Sequence, residues 1–104
     1  MAQLPFSINF IKGTTANIVE IGGSLVINHI EKIFSDLSRN VDLTKNLKLV
    51  INEVEGIDIT FVQLILGLKK EYSLSGKELT IECQLSDDSW ALLNNAGFNK
   101  QLIN

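Results

Sequence analysis

Gly56-Ile57-Asp58-Ile59-Thr60-Phe61-Val62-Gln63-Leu64 is the stretch on which the reading of this chain turns. It sets an Asp and a Thr at a strand-to-helix junction. Thr60 with Gln63 has the Thr-x-x-Gln spacing of a capping box, while Asp58 can cap instead, or favour the positive end of the helix dipole. From there Phe61, Leu64, Ile65, Leu68 and Tyr72 form an apolar stripe, with Lys69, Lys70 and Glu71 outside. That spacing predicts a helix over about 61–74, ended by Ser75-Gly76.

Upstream, Leu47-Lys-Leu-Val-Ile51 is a short, nearly continuous apolar run, which suits a central strand covered on at least one face. Residues 52–58 read as a loop with Val54 and Ile57 turned inward. Before the run lies a polar connection, 40–46, and before that an amphipathic helix carrying Val26, Ile27, Ile30, Ile33, Phe34 and Leu37. Ser24 can cap it. Gly22-Gly23 is expected to break the preceding strand, Thr15 to Ile21. Phe6-Ser-Ile-Asn-Phe10 alternates apolar and polar, and with the turn at Lys12-Gly13-Thr14 completes a hairpin.

Downstream, Glu78 to Cys83 alternates, placing Leu79, Ile81 and Cys83 inward. Ser86 is a natural N-cap for a third helix, and Asp87 and Asp88 suit its positive end. Gly97 fits a left-handed C′ position, with Phe98 packing on Leu93. The order is β-β-α-β-α-β-α, an α/β pattern with a single mixed β-sheet flanked by helices. One proline and seven scattered glycines among 104 residues leave no place to divide the chain, so 1–104 is read as a single domain.

Composition narrows the function. Twelve acids against nine bases give a net charge of −3. A phosphate-backbone binder needs the opposite balance, and no aromatics interleave with a basic patch, so no nucleic-acid partner is expected. The most apolar stretch, Phe61 to Leu68, is far shorter than the roughly 20 residues that cross a bilayer. With no basic cluster or long apolar run at the N-terminus, the expected address is cytoplasmic. One cysteine, Cys83, excludes an intrachain disulfide, and one histidine, His29, excludes a metal site needing two imidazoles.

Catalytic sets are scarce. Cys83 sits in an apolar strand phase and His29 on a polar helix face, so neither reads as half of a nucleophile–base pair. Gly22-Gly23 lacks the spacing of a phosphate loop. Glu53/Glu55 and Asp87/Asp88 read as a solvated loop and a helix start. No enzyme, cofactor or metal is expected.

The chain resembles the STAS domain, the fold of bacterial anti-sigma factor antagonists and of the cytoplasmic tails of sulfate transporters. Ile21-Gly-Gly23-Ser-Leu25 looks like the family's Leu-x-Gly-x-Leu. Ile57-Asp58 with Val62-Gln63-Leu64 looks like its Ile-Asp-Ser/Thr-x-Gly-Leu-Gln-Leu. Lys77-Glu-Leu-Thr-Ile81, Ser86, and Leu92-Leu93-Asn-Asn-Ala-Gly97-Phe98 look like its closing strand, serine and helix. The resemblance covers roughly 6–103.

The resemblance implies a non-enzymatic, protein-binding signalling module with its site at Asp58, Ile59, Thr60, Phe61 and Gln63. It also implies a switch, since in regulated members a partner kinase phosphorylates the Ser or Thr after the Asp. Here that position is Ile59, the family glycine is Phe61, and the aspartate that often ends the central strand is replaced by Val50. The switch is lost or moved to Thr60, the remaining candidate phosphoacceptor. If Ile59 is exposed it makes a permanent docking patch, and if buried it only packs. The implied partner is a regulatory protein such as an anti-sigma factor or a sensor kinase. The alternative is an accessory role in a membrane transport complex, docking on its ATPase subunit without membrane insertion. A homodimer stays open.

Overall fold

A computed structural model describes residues 5–95, apart from the side chains of 92 and 93. Four strands form one sheet in the order β1-β2-β3-β4: β1 (Phe6–Ile11), β2 (Ala16–Leu25), β3 (Asn46–Ile57) and β4 (Leu79–Cys83). The hairpin pair β1–β2 is antiparallel and the other two pairs are parallel. Helix α1 (Ile30–Asn40) connects β2 to β3, and α2 (Ile59–Leu74) connects β3 to β4. A single 3-10 turn, Ile27–His29, precedes α1, and α3 (Asp87–Asn95) follows β4. This is the mixed α/β order that the sequence predicts.

The core follows from alternation. Val19, Leu49 and Ile81 lie in register across three strands, as do Ile21, Ile51 and Cys83. On this face they meet Ile33 and Leu37 of α1 and Phe61, Val62, Ile65 and Tyr72 of α2 in one apolar cluster. In the opposite phase Ser7, Asn9, Lys48, Thr80 and Glu82 are exposed, while Ile18, Glu20 and Val50 are half-buried.

Two predicted boundaries are corrected. Gly22-Gly23 does not end β2, which runs on to Leu25, and Ser24 caps nothing. The glycines permit a close approach instead of a break. A Cβ at Gly22 would stand 2.3 Å from the Asn52 carbonyl oxygen, and Gly23 has φ +93° with the Pro5 carbonyl 2.6 Å from where its Cβ would be. The Ser24 N–H donates to that same carbonyl at 2.7 Å.

Because β2 continues, Gly23, Ser24 and Leu25 find partners in Val54, Gly56 and Ile57, so 52–57 is strand where a loop over 52–58 was expected. The register shift there is matched by Glu53, which adopts φ 50°. Pairing between β3 and β4 stops at Ile51 and Cys83, so β3 overhangs its neighbour. Ser86 does cap α3, its hydroxyl accepting the Ser89 N–H at 3.2 Å. The proposed ending at Gly97 and Phe98 lies outside the described residues, as does the Leu93 side chain.

Candidate functional site

The long reach of β2 and β3 brings the end of one strand beside the start of α2. Asp58, extended at φ −135°, is the N-cap of α2, and the helix begins at Ile59. Its Oδ1 accepts the Thr60 N–H at 3.0 Å and also the Thr60 hydroxyl. Its Oδ2 accepts the Ile27 N–H at 2.8 Å, and its own N–H donates to the Leu25 carbonyl at 3.2 Å. One aspartate thus closes the first turn of α2 and pins the segment that leads into α1.

The Thr60–Gln63 capping box is therefore corrected. Both Asp58 and Thr60 are good cap types. The strand pairing that holds Ile57 in β3 leaves Asp58 as the last extended residue before the helix, so the cap falls to Asp58. Thr60 is half-buried with its hydroxyl committed to the Asp58 carboxylate.

Partial burial pushes the Asp58 carboxyl up. The Thr60 hydroxyl, and the N–H groups of Ile27, Thr60 and Phe61, outweigh that and hold it below the usual carboxylate range. The site keeps a fixed negative charge at neutral pH where the helix dipole is positive.

Around this carboxylate the predicted site residues divide. Ile59 is exposed, at 38% of its full surface, and Gln63 faces outward one turn on. Phe61 is buried in the core and belongs to the foundation of the site. Ile27 was missed as a surface residue. Its place in the helical apolar stripe suggested burial, yet it is 61% exposed and hydrogen-bonded through its backbone to Asp58. The missing signal was the continuation of β2, which moves the helix start past Ile27 and turns its side chain outward. Two exposed isoleucines therefore flank one buttressed carboxylate.

The catalytic pair considered from sequence does not assemble. His29 packs on Phe6 of β1 with ring centroids 6.2 Å apart. Cys83 ends β4 at the other edge of the sheet, three strand spacings away, or roughly 14 Å. Burial pushes the Cys83 thiol up to about 11. Among the described residues, no three His, Cys, Asp or Glu side chains converge as a metal site would need. No helix of the described residues is long and apolar enough to cross a membrane.

Comparison with known proteins agrees with this architecture. The family model for the STAS domain matches residues 7–103. Among solved structures, the antisigma-factor antagonist STAS domain from Rhodobacter sphaeroides superposes with a TM-score of 0.61 at 16% identity, covering 74% of this chain and 85% of its own. The anti-sigma factor antagonist SpoIIAA, in its unphosphorylated form, gives a TM-score of 0.64 at 18% identity, covering 88% of this chain and 81% of its own. A search of the curated proteins finds no match.

Proposed function

The chain belongs to the STAS-domain family, and from that membership we propose that it works by protein–protein association, docking a regulatory partner of the anti-sigma factor or sensor-kinase type on the start of α2. The observation that carries this reading is the exposure of Ile59 immediately after the capping Asp58. Ile27 adds a second exposed apolar side chain beside the same carboxylate. Apolar anchors around a rigid polar centre are what a docking surface needs, because little side-chain or loop entropy is lost on binding.

The phospho-switch is lost in this reading. Ile59 has no hydroxyl, and the Thr60 hydroxyl is half-buried and already donated to Asp58. A phosphate on Thr60 would break that bond and set about −1.5 to −2 of charge against the carboxylate. Docking is then constitutive.

The test is Ile59→Glu in a tagged chain used to recover its partner from native cells. Wild type is expected to recover an anti-sigma factor or kinase. The variant is expected to lose it while its thermal midpoint stays within a few degrees. Retention of the partner, or a melting loss of core size, refutes the site. Recovery of a transporter ATPase subunit would favour the accessory role instead. Stoichiometric phosphate on Thr60 after incubation with the recovered kinase and ATP would refute the loss of the switch.

A further inference from the structure

Beyond Gln63, α1 and α2 enclose an open groove of about 630 Å³. Leu37, Leu64 and Leu68 line it, while Phe34 and Leu43, 56% and 37% exposed, stand along it. Its charged lining residues, Asp42 and Glu71, are both acidic. Asp42 is hydrogen-bonded to Thr44, with Lys45 and Lys12 near enough to act on its charge, so Glu71 is the acid left to meet a visitor.

Gly67 gives the second, independent observation. It lies inside α2, where glycine is less favourable than alanine. It lines the groove, is exposed, and a Cβ there would meet nothing within 4 Å. Neither backbone conformation nor packing within the described residues asks for glycine. A bare patch of helix in an apolar groove instead allows another backbone to come close.

We propose that this groove receives an amphipathic helical segment of the partner, apolar along one stripe and carrying a Lys or Arg where it meets Glu71. The proposal rests on the docking reading above, and extends it from the tip of α2 along the helix. Seating a helix between two helices uses the ordinary helix-in-groove mode, with anchors at three-and-four spacing and a charge pair setting direction.

The probe is an 18-residue helical peptide with a leucine stripe and lysine flanks, titrated into the full ¹⁵N-labelled chain and compared with its glutamate-flanked counterpart. The expected result is amide shifts centred on Phe34, Leu64, Gly67, Leu68 and Glu71, with the lysine peptide binding more tightly. Gly67→Leu, which fills open space and should fold normally, is expected to weaken binding at least about tenfold by blocking the close approach. Glu71→Lys, on the surface, should weaken it roughly threefold. Ile59→Glu should leave this affinity within twofold, so loss of the tip and loss of the groove are read separately. Shifts centred elsewhere, equal binding of the glutamate peptide, or undiminished binding by Gly67→Leu overturns the proposal.

Discussion

Replacing Asp58 with Ala should be among the most damaging changes available at a residue outside the core. The carboxylate caps α2 through the Thr60 N–H at 3.0 Å and holds the Ile27 N–H at 2.8 Å. Loss of an N-cap costs typically about 1 kcal/mol. A hydrogen bond to a charged group contributes about 1.5–3 kcal/mol, and the solvent-accessible Ile27 contact belongs at the low end. Together the loss is about 2–3 kcal/mol, which for a domain of this size lowers the thermal midpoint by roughly 10–20 °C. Asp58→Asn keeps one acceptor oxygen and should lose about half as much. The pH dependence has a definite sign. Hydrogen bonding holds the folded carboxyl below its ordinary value, so its contribution is complete above the unfolded value of about 3.9 and is lost as pH falls through the folded one. Urea melts of wild type and Asp58→Asn should therefore differ at pH 7 and converge toward pH 3. A loss below about 0.5 kcal/mol for Asp58→Ala at pH 7, or a gap that is the same at both pH values, would refute the assignment of the Asp58 carboxylate as the bond between the start of α2 and the segment leading into α1.

Three further outcomes follow from named contacts. Gly23→Ala places a Cβ 2.6 Å from the Pro5 carbonyl at φ +93° and should cost about 1–3 kcal/mol in a denaturant melt, whereas Gly67→Ala, in open space, should gain about 0.5–1 kcal/mol. Equal effects at the two glycines would contradict the bulge. Cys83, with its thiol pushed up to about 11, should react with iodoacetamide at pH 8 roughly two orders of magnitude more slowly than an unperturbed cysteine, and recover normal reactivity in urea. Rapid alkylation of the folded chain would place the thiol in a different environment.

What could be read from sequence was whatever periodicity dictates. Alternation placed β1 and β4, and the apolar stripe from Phe61 to Tyr72 placed α2, because core contacts of a strand or helix repeat along the chain. The double glycine was misread because glycine has two opposite uses. It can stop a strand, or it can let two strands approach too closely for any side chain, and only the carbonyls of Asn52 and Pro5 on neighbouring segments decide which. That one error carried to its partner strand, hiding the pairing of Val54, Gly56 and Ile57. It also hid half of the candidate site, since the exposure of Ile27 depends on where β2 ends. The choice of Asp58 over Thr60 as cap was open for the same reason: cap chemistry is local, but the residue at which a strand stops is a property of the sheet.

Among the described residues β3 beyond Ile51 has a ladder partner only in β2, which leaves a short edge that a second polypeptide could extend. Glu53 and Glu55 lie along this edge, both exposed, and Glu53 adopts a left-handed φ of 50° where the register shifts. Charged side chains and a bulge on an edge disfavour strand addition, so this flank of β3 is poorly suited to pairing with another chain.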